Sequence, residues 1–570
     1  MRPSLARLLL SLASVLPGFA SAGYTTPPIA PLTTSAMPEG VPSQPFGIPL
    51  DRPFNQLTFA ATHNSFAYYT PILRNQDKNI GTQLRDGVGG LMLDLHEYKG
   101  RVFVCHESCT NPINTKIYSL ANWFNEDILP HMQQHPEAIL TVFFEDQVTK
   151  AQLEAELKLS PGLANMTFDP ASWPDSAEWP TARQMIAKGQ RILLFTDSTS
   201  NHGTFNVGNG KATVMLDRDA MVENNWNLGD TIFSHNWSCD NHPFKPALNN
   251  KQVKFSGKRW PSLFLMNQFH SQGETLHARS DNNLSNLWKR VEDKCRAKTD
   301  RTPNFIAVDF YHQGDALEYA ATLSHGGMVL WEGNNATQDA VCAIPYTGRP
   351  YAVNFQASNQ RVSGCENDEA RSATLLNLKA GSVISIYDSP SRSREDDWTT
   401  LEVTKDFEKI TINSFETARW PDGILLKWVN HNNGLDGKVS SVTLGYPEPP
   451  MIVFYEGNHT SQNIVCTLVM PGSGRQFVNF QHDPYGCDND EARSARFYNM
   501  KKGQHVTIYD SPNGAHKDDN IQIEILKDIK YFSLPTFEQS VSDPSYRATF
   551  YRKNGLDGKV SGVLMEASNR

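Results

Sequence analysis

Residues 90–107 read GLMLDLHEYKGRVFVCHE, and residues 57–65 ahead of them read LTFAATHNS. These stretches hold three short apolar runs of strand length, 57–61, 90–93 and 101–104, and each run leads into polar, titratable residues. The exits carry His63 with Asn64, Asp94 with His96, and His106 with Glu107. Apolar along the run and ionisable at its end is the pattern of an α/β sheet whose strand carboxyl ends gather into a site. Two histidines at neighbouring strand ends suit acid/base chemistry on a phosphodiester. One imidazole removes a proton from the attacking hydroxyl and the other protonates the departing oxygen, since both titrate near neutrality. A lone histidine of this kind is more often a hydrogen-bonded core or capping residue; the pair, with Asp94 between, argues for the site.

Helical patterns at 118–134, 150–157, 181–188, 284–298 and 315–323 separate these runs from later ones at 190–197, 262–267 and 303–311. Alternation of this kind predicts a parallel α/β fold, a distorted TIM (β/α) barrel.

The stretch from Ala61 through Asp146, reading ATHNSF, then QLRDGVGGLMLDLHEYKGRVFVCHESC, then ILTVFFEDQV, resembles the X-domain of phosphatidylinositol-specific phospholipase C, most of all its secreted plant and fungal relatives. The later runs fit in order, so the resemblance spans about residues 45–325. It implies a phosphoric diester hydrolase or lyase of the phospholipase C type. His63 would be the general base on the inositol 2-hydroxyl, His106 the general acid for the leaving alcohol, and Asp309 the carboxylate orienting His63. The product would be a cyclic inositol phosphate, and the substrate phosphatidylinositol or a glycosylated inositol lipid. Calcium is the one candidate cofactor that the resemblance offers, with Asn64, Asp94 and Glu145 as ligands. A further carboxylate of that set falls at Met92, and a thioether is a poor donor to a hard cation, so the site is weakened. Metal-independent relatives place an arginine where this chain has His96, which together with Asn64 is the candidate phosphate contact.

The 570 residues, with a formal net charge of −9, suit several domains and argue against a nucleic-acid partner. Residues 1–22 have the basic, apolar and small-residue regions of a secretory signal peptide, and 23–44, rich in Pro, Thr and Ser, read as a disordered lead-in. Secretion to the extracellular side follows, with no later run long enough to span a membrane. Peripheral membrane contact is still open to such a protein, for example through the basic and aromatic run 251–260; a solvated loop is the commoner reading. Eight cysteines fit an oxidising route. They are too dispersed for a zinc site. Asn165, Asn236, Asn283, Asn335 and Asn458 each begin a glycosylation sequon.

After residue 326 the pattern changes to strands and turns, and it repeats. CENDEARS at 365–372 recurs as CDNDEARS at 487–494, and NGLDGKVS at 433–440 recurs at 554–561. Two tandem β-sandwich domains are expected, at 327–446 and 450–568, following a barrel at 45–325. The repeat favours Cys342 with Cys365 and Cys466 with Cys487; Cys105 with Cys109 is a plausible tight loop, which leaves Cys239 and Cys295. Asn367-Asp368 with Ser372, and Asp436-Gly437 with Ser440, resemble degenerate calcium turns of βγ-crystallin domains, as do Asn489, Asp490, Ser494, Asp557, Gly558 and Ser561; tight turns explain the same residues equally well. Two other readings compete with the inositol lipid one. The chain could be a non-catalytic or weakly catalytic protein whose repeats bind a glycan or other surface ligand, or a phosphodiesterase acting on glycerophosphodiesters or sphingolipids. Retention of His63, His106, Asn64, Asp94 and Glu145 favours the enzyme.

Overall fold

The computed structural model describes residues 46–568 apart from 70–73, 112–116, 176, 227, 230–233, 272–274, 349–350, 358–363, 394–395, 418–419, 431–432, 446–449 and 483–486. The expected signal peptide and lead-in lie outside the described residues.

Eight strands run parallel: β1 (Phe59–Thr62), β2 (Gly90–Tyr98), β3 (Leu140–Asp146), β4 (Ile192–Thr196), β5 (Gly210–Leu216), β6 (Met221–Glu223), β7 (Leu263–Gln268) and β8 (Phe305–Val308). They lie side by side in the order β5, β4, β3, β2, β1, β8, β7, β6, so chain order is kept on both sides of β1. Among the described residues β5 and β6 are not paired; instead the strand Gly203–Val207 runs antiparallel against the outer side of β5. Parallel neighbours need crossover connections, and the helices supply them. Asn79 caps Ile80–Asp86, while Thr149 and Thr181 close capping boxes on Lys150–Leu157 and Ala182–Lys188. Two glycines let β2 approach β1, because a Cβ on Gly89 would stand 2.5 Å from the Phe59 ring and one on Gly90 2.7 Å from the Ala61 Cβ.

Side chains alternate strictly along the strands, as the pleat requires. One set, including Phe59, Ala61, Phe143, Leu193, Phe195, Leu265, Phe305 and Ala307, forms a cluster on one face. The intervening residues, such as Leu91, Leu93, Val142, Phe144, Leu194, Ile306 and Val308, pack on the other face with helix residues such as Ile80, Leu84, Trp123 and Leu153. Burial on both faces explains why the runs read as continuously apolar.

Beyond residue 326 each repeat has two antiparallel sheets, of four and five strands in the first and of four and six in the second. In each, both sheets contribute to one apolar cluster. The opening strand of the first repeat, Gly327–Gly333, sends Met328 and Leu330 into the repeat's own cluster, but Val329 and Trp331 into the cluster beneath the α/β helices, where Trp331 meets Trp288 edge to face. The opening strand of the second, Met451–Gly457, behaves in the same way, with Met451, Val453 and Tyr455 packing against Tyr387 and Trp398 of the first. Residue 326 is therefore a change of secondary structure without a break in the apolar packing. The four disulfides are Cys105–Cys109, Cys239–Cys295, Cys342–Cys365 and Cys466–Cys487.

Candidate active site

Register builds the site. β1 pairs with β8 so that Ala61 faces Ala307 and Thr62 faces Val308, and the next residues, His63 and Asp309, meet just past the strand ends. His63 Nδ1 lies 2.8 Å from Asp309 Oδ1. Asp309 is 4% exposed, and its second support is the Asn75 amide, which donates to the same oxygen at 3.0 Å. Phe269, one residue beyond the end of β7, stacks on the His63 ring with centroids 3.7 Å apart and planes within 5°. Gln76 Nε2 donates to the His63 carbonyl at 2.8 Å. With Nδ1–H directed at Asp309, the Nε2 lone pair of His63 is the reactive one.

His106 enters from the short strand Arg101–Val104, which runs antiparallel to the end of β2 and so turns back over the site. Its Nδ1 is 3.7 Å from Asp94 Oδ2. Hydrogen bonding to Asp94, then the negative charge of Asp94, Glu107 and Glu145, holds the imidazole above its ordinary pKa despite burial. Asn64 ties the two halves together, since its amide stands 3.0 and 3.2 Å from the Asp94 oxygens, 3.3 Å from His106 Nδ1 and 3.2 Å from the Asn75 amide. The residues that immediately follow His63, His106 and Asp309 all have left-handed backbones: Asn64 at φ 43°, Glu107 at φ 57° and Phe310 at φ 45°. Such conformations cost roughly 1–3 kcal/mol each in a non-glycine residue and gather at functional sites. Here each one turns the chain sharply just after a reactive side chain.

The same register brings further ionisable groups to this end. Glu145 is the partner of Asp94 across β2 and β3. Its carboxyl is open to solvent, yet the surrounding protein, then Asp94 and Asp197, hold its pKa above the ordinary range. Asp197 follows β4 and Asp217 follows β5, and the Lys245 ammonium bonds Asp217 and lies 3.4 Å from Glu223. Sequence reading missed Asn75, Gln76, Phe269, Asp197, Asp217 and Lys245. Asp197 had a signal, because it ends the run 190–197; Asn75 and Lys245 sit in irregular chain and had none.

Residues 50–324 match the family model PI-PLC X 1. That segment resembles the PI-PLC X domain family along its whole length. A PI-PLC X domain-containing protein of Arabidopsis thaliana is 29% identical over 286 residues, covering 48% of this chain and 63% of that protein. An uncharacterized secreted protein of Arthroderma benhamiae is 24% identical over 343 residues, covering 55% of this chain and 67% of the relative. The chain thus spans under two thirds of the Arabidopsis protein's length. Among solved structures, the phosphatidylinositol-specific phospholipase C from Listeria monocytogenes aligns with a TM-score of 0.30 and 13% identity, over 47% of this chain and 93% of that one.

Within residues 50–324 the structure also places His96 and the run 251–260. Burial pushes the His96 pKa down, with Asp94 opposing it and His106 adding to it. The run 251–260 is a hairpin, Gln252–Phe255 with Lys258–Pro261, whose Trp260 is buried against Trp179 and Phe255 and whose Lys258 ammonium is bonded to the carbonyls of Pro170, Ala171 and Trp173. It offers no aromatic to a lipid.

The calcium ligand set also fits poorly. Met92 packs into the apolar cluster, Asp94 is engaged by Asn64 and His106, and no third Asp, Glu or His joins Asp94 and Glu145 in a tight cluster among the described residues. Calcium takes six to eight oxygens. In the repeats the acidic turn residues serve the fold, since Asp436 accepts from Ser414, Phe415 and Asn334 and Asp557 accepts from Thr536, Phe537 and Asn458. Of the sequon asparagines, Asn165, Asn236, Asn335 and Asn458 are exposed, while Asn283 is half-buried and caps the helix Leu284–Trp288. Among the described residues no helix is long and apolar enough to cross a membrane.

Proposed function

We propose that this protein is a secreted phosphodiesterase that cleaves phosphatidylinositol or a glycosylated inositol lipid to a cyclic inositol phosphate and a lipid alcohol. The observation that carries the reading is the pair of differently supported histidines at one end of the parallel strands: His63 on Asp309 at 2.8 Å, and His106 beside Asp94 at 3.7 Å. Acid and base must differ in protonation at the working pH, and the carboxylates around His106 favour its protonated form. His63 Nε2 takes the proton of the inositol 2-hydroxyl, that oxygen attacks phosphorus, the bond to the lipid oxygen breaks, and His106 gives that oxygen a proton. Asp309, Asn75 and Phe269 fix the base; Asp94 and Asn64 fix the acid. The chemistry uses no metal at Asn64, Asp94 and Glu145.

The order of the eight strands supports a barrel left open between β5 and β6, and the paired sheets of the repeats support two β-sandwich accessory domains. We read those repeats as binding or stabilising modules for a glycan or other surface ligand. Membrane contact would fall to aromatic side chains such as Phe244 and Trp226, which are 76% and 44% exposed. The test is to incubate the purified chain with phosphatidylinositol, a glycosylated inositol lipid and glycerophosphoinositol, with calcium or with chelator, and to follow products by phosphorus NMR. A cyclic phosphate formed in chelator supports the proposal; no turnover of any of the three overturns it.

A further inference from the structure

Phe269 is followed by His270, and His270 belongs to a group of ionisable side chains for which the proposed reaction has no use. His235 lies in the irregular chain between β6 and β7, and Asp281 ends the helix Thr275–Asp281. His235 Nε2 is 2.8 Å from Asp281 Oδ1, and His270 Nε2 is 2.9 Å from Asp281 Oδ2. His277 precedes Asp281 by one helical turn, and its ring centre is 5.1 Å from that of His270 and 6.5 Å from that of His235. His270 and Asp281 are 4% and 2% exposed.

The hydrogens of His270 decide what such a cluster is for. Its Nδ1 is 3.1 Å from the carbonyl oxygen of Gly229, which can only accept, so Nδ1 carries a hydrogen and donates it. In the neutral ring Nε2 then holds a lone pair. It faces a carboxylate that also only accepts, and although 2.9 Å separates the two atoms, Nε2 has no hydrogen-bond partner. A buried lone pair therefore faces one oxygen of a carboxylate whose other oxygen is bonded to His235, and only a cation at the shared point, a proton or a metal ion, relieves the contact. An imidazole anchored through Nδ1–H to a backbone carbonyl, with Nε2 beside a carboxylate and a second imidazole, is the arrangement of a metal ligand with its outer support.

We propose that His235, His270 and Asp281 bind a divalent transition-metal ion. Two imidazole nitrogens and one carboxylate suit zinc; calcium and magnesium take oxygen ligands. The ion joins three separate segments directly behind the base, because Phe269 stacks on His63 and Asn282, the residue after Asp281, donates to the Asp309 carbonyl at 2.8 Å. Its role is to hold those segments in place.

The test uses the full chain, stripped with chelator and then reconstituted with zinc chloride or cobalt(II) chloride. Bound metal is counted by mass spectrometry, affinity is measured by calorimetry, and cobalt ligation is read from visible absorption. One tight zinc per chain is expected, together with a cobalt spectrum that His235→Ala alters. His235 has 25% of its side chain exposed, so that variant should fold, and its zinc affinity should fall at least about tenfold, as should that of Asp281→Asn. Absence of tight zinc, or an affinity unchanged in both variants, overturns the proposal. These readouts do not involve phosphodiester cleavage, so the site and the reaction can fail separately.

Discussion

Replacing Asp94 by Asn keeps the shape of the side chain and removes its charge from beside His106. The ring nitrogen and carboxylate oxygen are 3.7 Å apart, with 27% and 10% of the two side chains exposed. At that separation a unit-charge pair is worth about 4.5 kcal/mol at an effective dielectric of ~20 and about 1 kcal/mol at ~80. Because His106 is partly open to water, the gain belongs near the lower figure, about 1–2 kcal/mol, or roughly one pH unit. Glu107 and Glu145 remain, so part of the upward shift persists. The sign follows from the acid's role. His106 must be protonated to act, so activity is present below its raised pKa and is lost as the pH climbs through it. Asp94→Asn should move the alkaline limb of kcat/KM to lower pH by about one unit. The assay is a pH profile on phosphatidylinositol in mixed micelles, beside an NMR titration of the His106 ring. If the ring's pKa falls and the limb stays, His106 is not the acid; if neither moves, the coupling to Asp94 is wrong.

His63→Ala and His106→Ala should each lower turnover at least about a hundredfold with unchanged circular dichroism, the usual contribution of a general acid or base. Phe269→Ala removes the ring stacked on His63, worth about 1 kcal/mol, so kcat should fall by up to roughly tenfold while KM stays within about twofold. Replacing Cys466 and Cys487 by Ser opens a loop with a sequence separation of 21, and urea unfolding should show the second repeat weakened by about 3 kcal/mol. A fragment spanning 327–570 uncovers Val329, Trp331, Ala343 and Leu376, so it should bind a hydrophobic dye and self-associate. A monomeric fragment that binds no dye would mean that the two parts do not rely on each other's apolar surface.

The order of apolar runs and their ionisable exits was legible because a parallel strand buried on both faces leaves few polar residues except at its ends. His63, Asp94 and His106 were found in that way, Asp309 came from the family resemblance, and the structure places the four together. The cysteine pairs were legible for a different reason, since the duplicated CENDEARS and CDNDEARS segments fix equivalent positions. What escaped depends on contacts far apart in sequence. Phe269 reaches His63 only because β7 lies beside β8 and β8 beside β1. The strand at 327–333 serves two apolar clusters, and the alternation of Val329 and Trp331 with Met328 and Leu330 looks, in sequence, like any buried strand. The run 251–260 left a lipid-facing loop open beside the commoner solvated one, since a lysine bonded to three carbonyls and a buried tryptophan have the same composition as such a loop.

Met92 shows how these two kinds of information combine. Register puts it opposite Phe143, one layer below the level where Asp94 meets Glu145, and its side chain packs with the cluster that holds Phe143 and Phe195. Two residues along the strand the side chains on the same face become ionisable, so the boundary between apolar interior and reactive end falls between Met92 and Asp94. A carboxylate at position 92 would sit on the apolar side of that boundary, where an unpaired charge costs several kcal/mol. A metal could offset that cost. Without one, methionine is the residue that keeps the floor of the site dry, and a dry floor strengthens the Asp309–His63 and Asp94–His106 pairs above it by keeping water from their lower side. The departure from the calcium-binding pattern is thus consistent with a site that relies on histidine and carboxylate pairs for its charge.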